Sequence, residues 1–382
     1  MMLELLLWFF VLLIVYTYFI YPLVLCILSV ILPAKKRYRS EEYSPTISLV
    51  IAAYNEEESI RKKIINSLAL EYPKEKMEIV IVSDGSTDRT NEIIGEFASK
   101  NRNLVLIKLK ENKGKANALN KAVRRCNGEI IVFSDATTIY KKDALKKLVP
   151  YFSDSQVGLV SGRLDFIDKA GKTAEGLYWR YETWLRRLES KTDSMVYVSG
   201  AIYAIRRKVY RKLPENTINE DLQIPFQISS RGYRSLYADD AVAYEEVGEN
   251  TFHEFVRRVR IGAGNYQALF RVINLNPIKG VLSFNFFSHK VLRWLVPFFL
   301  IIIAALNIAL INERFYLFIL IVQLFFYIFA FVGFLLDLLN KPAYILKIPY
   351  FFAAMNLAML VGFFRFIKGI KKGAWTNRLN KS

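Results

Sequence analysis

Long apolar runs lie towards both ends of the chain, and short ones recur between polar stretches in the middle. Leu5–Ile31 carries no charged residue, and Trp294–Ile311 and Phe315–Leu336 repeat that pattern, with a shorter run, Ile348–Phe364, closed by Lys347 and Arg365. Segments of this length can cross a bilayer. In the middle, Ile47–Ala52, Ile79–Ser83, Leu104–Leu109 and Ile130–Ser134 read as strands, and the segments near Glu56–Leu68, Asp88–Ala98 and Lys115–Arg125 as helices. Strand and helix in strict alternation predict right-handed crossovers and a mainly parallel sheet buried on both faces. The expectation is therefore an α/β domain over 40–270, an N-terminal transmembrane anchor over 1–33, and an interfacial segment with further transmembrane helices over 271–382.

The remainder of the polar part is less regular. Gly158–Phe166 and Met195–Ile205 read as strands, and Gly176–Leu188 as an amphipathic helix whose stripe is Leu177, Tyr181, Trp184, Leu185 and Leu188. Leu222–Ser230 opens a helix behind Asn219, Glu220 and Asp221. Pro225 has no amide to offer the Asp221 carbonyl, which predicts a loose first turn. Arg271–Arg293 mixes aromatics with lysine and arginine, as a segment lying along headgroups would.

Charge sharpens this picture. The chain carries 53 basic and 35 acidic residues, a formal net charge of +18. The basic residues gather beside the apolar runs, as at Lys35, Lys36, Arg37 and Arg39, which favours membrane lipids as the partner over nucleic acid. Basic loops stay inside, so the polar domain is expected in the cytoplasm of a multi-pass cell-membrane protein. Three later spans would then carry Arg365, Lys368, Lys371 and Lys372 outside; either the last segment is not a simple span or the charge rule fails here. Two cysteines, Cys26 and Cys126, imply no disulfide framework, and two histidines leave little for a metal–thiolate site. Neither a GxxxxGK[ST] loop nor a GxGxxG turn is present, which removes support for P-loop and dinucleotide-binding chemistry.

Three predicted strands end in polar clusters: Tyr54-Asn55-Glu56, Asp84-Gly85-Ser86 and Asp135-Ala136-Thr137. In an open α/β sheet those ends share one edge, so the clusters should converge where ligands bind. Asn112-Lys113-Gly114-Lys115 is a basic turn before a helix, able to approach phosphates or simply to be solvated.

The ordered set SLVIAAYNEEESI, IVIVSDGSTDRT, NKGKANALNKA, FSDATTIY, SGAIYAIRR, NEDLQIPFQISSRGYR and RRVRIGAGNYQ, from Ser48 to Gln267, resembles the family 2 inverting glycosyltransferases. It is most similar to the membrane-embedded branch that includes hyaluronan, cellulose and poly-N-acetylglucosamine synthases. That resemblance implies a glycosyltransferase A-type fold and a nucleotide-diphosphate sugar donor, UDP-linked, with a glycan or lipid-linked acceptor. It places Tyr54, Glu56 and Asp84 around base and ribose, Lys115 on the nucleotide, and Asp135 as first acid of a DXD motif holding Mg²⁺ or Mn²⁺. Asp221 becomes the general base, with neighbouring Glu220 raising its proton affinity, and Arg257 and Arg258 a diphosphate clamp.

Two departures stand out. Thr137 replaces the second acid of DXD, which weakens metal affinity or moves a ligand role elsewhere, with His253 one substitute to consider. In the family's QxxRW motif Arg257 and Ile261 hold the Gln and Trp positions while Arg260 is kept, so the aromatic platform of processive synthases is missing. A processive, exporting synthase is thus the alternative reading, and a non-catalytic nucleotide-sugar-binding subunit a second. Asn307, Gln323 and Asn356 are the isolated polar residues of the spans, too few for a lined glycan path.

Overall fold

The computed structural model describes residues 1–31, 39–168, 176–192, 195–246, 251–273, 280–339, 341 and 343–369. The chain divides into two compact units. One comprises Leu25–Glu249 and Phe270–Asn285; the other comprises Met1–Val24, Asn250–Leu269 and Phe286–Gly369.

The first unit is built on an eight-stranded sheet. Its strands are β1 (Ile47–Ala53), β2 (Met77–Asp84), β3 (Leu104–Leu109), β4 (Ile130–Asp135), β5 (Ile139–Tyr140), β6 (Val157–Ile167), β7 (Tyr203–Arg206) and β8 (Arg234–Glu246), in the order β3-β2-β1-β4-β7-β6-β8-β5. β3, β2, β1 and β4 run parallel, joined through helices Ile60–Leu68, Thr90–Ala98 and Lys115–Val123. Every residue of β1 is buried because both faces are covered. Ile47, Leu49 and Ile51 face a core shared with Ile60 and Ile64, while Val50 and Ala52 face one shared with Ala118 and Leu119. That two-residue alternation is the pleat itself.

Beyond β4 the sheet becomes mixed, although it stays mainly parallel as expected. β7 lies antiparallel between β4 and β6, β6 and β8 pair parallel, and β5 pairs antiparallel with β8. Only Tyr203–Arg206 of the expected Met195–Ile205 strand is in the sheet. The helix Leu177–Lys191 buries Leu185 and Leu188 as its stripe predicts, but also Glu182, Arg186 and Glu189. The Arg186 guanidinium lies over the Trp179 and Tyr197 rings, 4.8 and 5.4 Å from their centroids. Such stacking shelters a cation that burial would otherwise strip of water.

Among the described residues, four helices are long and apolar enough to cross a membrane: Met2–Ile31, Val281–Ala309, Arg314–Leu338 and Ile345–Ile367. Residues from Val281 are helical and run on into the apolar helix, while 274–279 of the expected interfacial segment lie outside the described residues. In the second unit, π-helical segments interrupt two of these helices at Tyr16–Ile20 and Phe286–Val291. They meet: the Tyr16 hydroxyl lies 2.8 Å from that of Ser288, and the Tyr21 and His289 rings stack at 6.0 Å. Asn307 and Gln323, expected as isolated polar groups, pair with each other at 3.2 Å. Gly262 and Gly362 let the helices Thr251–Ile273 and Tyr344–Ile367 approach closely, since a Cβ on Gly362 would lie 2.8 Å from the Ala263 amide nitrogen.

Candidate active site

The parallel register aligns the ends of β1, β2 and β4: Ala52 is opposite Asp135, and Ala53 is opposite Ser83. The three polar clusters therefore sit on one edge of the sheet. Asn55 holds the first in place. It adopts φ +52°, accepts the Thr87 amide on Oδ1 at 2.8 Å, and donates its own amide to the Ser86 hydroxyl at 3.1 Å. Asparagine tolerates that left-handed geometry better than a branched residue would. Tyr54 and Glu56 flank it, half-buried; the Glu56 amide donates to the Thr90 hydroxyl at 2.8 Å and its carboxylate accepts from the Ser59 hydroxyl.

Asp84 is fully buried. Its carboxylate accepts the amides of Lys113 and Gly114, at 3.2 and 2.6 Å. Burial raises its pKa, outweighing the two amides that favour the ionised form. The basic turn thus spends these donors on Asp84, where a phosphate was one expectation. The neighbouring backbone is tight: Gly85 has φ +71°, and a Cβ there would lie 2.6 Å from backbone atoms of Glu111 and Asn112.

The helix that follows this turn delivers Lys115. Its ammonium bridges Asp135 Oδ1 at 2.8 Å and Glu220 Oε1 at 2.6 Å, with only 15% of the side chain exposed. Burial pulls the lysine pKa down, but Asp135, Glu220 and Asp221 together hold it well above its usual value. Residues far apart in sequence therefore form one charged cluster.

Asp221 completes it. Its Oδ1 is buried without a hydrogen-bond partner. Burial raises its pKa to about 8; Lys115 opposes that rise, and Glu220 and Asp135 add to it. Gly200 makes the room, since a Cβ there would come within 2.7 Å of both carboxylate oxygens. The Asp221 carbonyl, deprived of an amide partner by Pro225, accepts the Val198 amide at 3.1 Å. The turn expected to be loose is thereby tied to the loop that passes the carboxylate.

Sequence reasoning missed Tyr203. It lies on β7, stacks on Phe133 at 4.8 Å, and leaves its buried hydroxyl without a hydrogen bond. Burial first, and then Asp221, raise its pKa, with Lys115 opposing. Its place in the segment SGAIYAIRR was the only available signal. Arg257 and Arg258 lie on the Thr251–Ile273 helix, which as far as Leu269 belongs to the other compact unit. The side chain of His253 lies outside the described residues.

Oxygen donors suited to a hard cation are present around the acid-poor DXD position. Asp135 and Thr137 are both half-exposed while Ala136 and Thr138 are buried. The Thr137 hydroxyl donates to Glu245 Oε1 on β8 at 3.3 Å. Among the described residues no group of three His, Cys, Asp or Glu side chains could hold a metal ion by itself, so substrate oxygens would have to complete a coordination shell.

Residues 48–214 match glycosyl transferase family 2. Poly-beta-1,6-N-acetyl-D-glucosamine synthase of Staphylococcus aureus (strain COL) is 30% identical over 232 residues, 59% of this chain and 56% of that protein. A Bacillus subtilis (strain 168) protein named "Probable glycosyltransferase YdaM" is 30% identical over 241 residues, 60% of this chain and 57% of its own. The match thus spans little more than half the length of these relatives. Among solved structures, the mannosyltransferase PcManGT from Pyrobaculum calidifontis, in complex with GDP-Man and Mn²⁺, superposes with a TM-score of 0.76 at 22% identity. That superposition covers 95% of this chain and 99% of the other, and establishes the glycosyltransferase A-type fold.

Proposed function

Because the chain carries a family 2 glycosyl transferase domain, we propose that it is a membrane-anchored inverting glycosyltransferase. It moves a sugar from a nucleotide-diphosphate donor, UDP-linked, to a lipid-linked or polysaccharide acceptor on the cytoplasmic side. The observation that carries this reading is the lysine bridge: Lys115 holds Asp135 and Glu220 together beside Asp221.

The chemistry follows from that arrangement. A hydroxyl is a poor nucleophile at neutral pH, so Asp221 takes its proton as the oxygen attacks the anomeric carbon. The diphosphate leaves from the opposite face and the configuration inverts. Asp221 must be ionised first, which its buried setting resists; Lys115 supplies the countercharge that makes ionisation attainable. Glu220, 5% exposed and bound to the same lysine, keeps that ammonium in position. Tyr54 and Glu56 flank the nucleoside, and Asp84 shapes the turn that presents Lys115. Asp135 would hold Mg²⁺ or Mn²⁺, and such a cation neutralises charge on a departing diphosphate. The Mn²⁺ in the structural neighbour supports a divalent ion.

A processive synthase is the second reading, favoured by the polymer-forming name of the staphylococcal relative. Ile261 at the family's tryptophan position weighs against it. The test is to incubate the purified full chain in lipid nanodiscs with a panel of UDP- and GDP-sugars, following nucleotide release, product size and anomeric configuration. A β-linked product from an α-linked donor supports the reading. No transfer or donor hydrolysis across the panel, or a retained configuration, overturns it.

A further inference from the structure

We infer that Glu245 supplies the second acidic ligand that the DXD position lacks, so that Asp135 and Glu245 together hold the divalent cation on the donor diphosphate. This rests on the glycosyltransferase reading and deepens it.

In Asp135-Ala136-Thr137 the third side chain is a hydroxyl, which carries no charge to offer a cation. The structure shows what lies there. Thr137 is half-exposed, as Asp135 is, and its Oγ1 lies 3.3 Å from Glu245 Oε1. The Glu245 carboxylate thus stands beside the position that the motif's second acid would occupy.

The topology makes the placement dependable. β5 follows directly on the turn and pairs antiparallel with β8, Ile139 opposite Tyr244 and Tyr140 opposite Ala243. This pairing brings the turn alongside the end of β8. β8 is also paired along its length with β6, where Phe166 is opposite Glu245. Two strands therefore fix the backbone that carries the glutamate.

The helix Ile60–Leu68 holds the turn from behind. Lys63 donates to the Thr138 carbonyl at 2.7 Å and lies 4.1 Å from the Tyr140 ring centroid. Asn66 exchanges hydrogen bonds with the Tyr140 backbone at 2.8 and 2.9 Å. A ligand pair needs this kind of rigid mounting. Two carboxylates with diphosphate oxygens form an ordinary shell for Mg²⁺ or Mn²⁺. The charge missing from the turn is thus restored from a distant strand, which explains why the motif alone looks incomplete.

The experiment measures binding. Titrate UDP into the full chain in detergent, with Mn²⁺ and with EDTA, and record the electron paramagnetic resonance signal of bound Mn²⁺. The expected result is that Glu245→Gln loses at least tenfold of the Mn²⁺-dependent gain in UDP affinity while affinity in EDTA is unchanged. Thr137→Asp combined with Glu245→Gln returns the gain to within threefold by putting the carboxylate back on the turn. Wild-type Mn²⁺ dependence in Glu245→Gln overturns the inference, as does a double variant no better than the single one. If the wild-type chain transfers sugar with no Mn²⁺ or Mg²⁺ effect on UDP binding, the inference falls while the transferase reading stands.

Discussion

Replacing Asp221 by asparagine removes the proposed base at almost constant volume, and the structure gives two consequences that move in opposite directions. Loss of a positioned general base lowers turnover by ~10²–10⁴-fold, or about 3–5 kcal/mol of transition-state stabilisation. The fold should nevertheless gain. An aspartate whose folded pKa is raised to about 8 keeps its proton where the unfolded chain has released it. Stability therefore falls as pH rises from about 4, where an exposed aspartate titrates, through about 8, with a slope of at most about 1.4 kcal/mol per pH unit. Asparagine does not titrate, so the variant escapes that loss. Differential scanning fluorimetry of the two proteins between pH 5 and 9 should show wild-type melting temperature declining more steeply, with the variant the more stable at the alkaline end. Wild-type turnover should rise with pH towards a plateau above about 8, reporting ionisation of the base. Transfer within threefold of wild type in Asp221→Asn, together with parallel melting profiles, would refute the assignment.

Three further outcomes follow from the same geometry. Gly200→Ala puts a methyl group 2.7 Å from both Asp221 oxygens, so turnover should drop more than tenfold while UDP affinity, read by calorimetry, changes less than threefold. Lys115→Met leaves Asp135 and Glu220 without their shared cation; breaking a buried pair this way costs about 3–5 kcal/mol, and the pH–rate profile should shift to higher pH because Asp221 loses the charge that favours its ionised form. A normal melting temperature and profile would count against the bridge. Gly85→Ala forces a side chain into a φ +71° backbone 2.6 Å from Glu111 and Asn112, so melting should fall by several degrees, at about 2–4 °C per kcal/mol, and nucleotide affinity should weaken with the displaced Asp84 turn.

What the sequence disclosed depended on whether the relevant force was local. β1 to β4 and their helices were readable because strands buried on both faces leave unmistakable apolar runs, and β1 ended within one residue of its expected limit. β8 was not, although it is 13 residues long. Asp239 and Asp240 interrupt its apolar pattern where the pairing with β6 skips from Ala238 to Val242. The antiparallel β7 was hidden for a different reason: only four residues of a longer apolar stretch are in the sheet. At the site, the ends of three strands were expected to converge, and they do. The lysine bridge was invisible because nothing in Lys115 or Glu220 alone names a partner about a hundred positions away, and Glu245 was invisible because strand pairing, not spacing, brings it to Thr137.

The paired π-helical segments have an implication for how this protein tolerates change. Each carries a widened turn, and the Tyr16–Ser288 and Tyr21–His289 contacts join the two segments like meshed cogs. A π turn holds about one residue more than an α turn, so deleting one residue from either segment would restore regular winding there with both flanks in phase, while removing its half of the Tyr16–Ser288 and Tyr21–His289 contacts. Single-residue deletions within these two stretches should therefore be tolerated better than deletions elsewhere in the same helices, where each would rotate the following residues by about 100°.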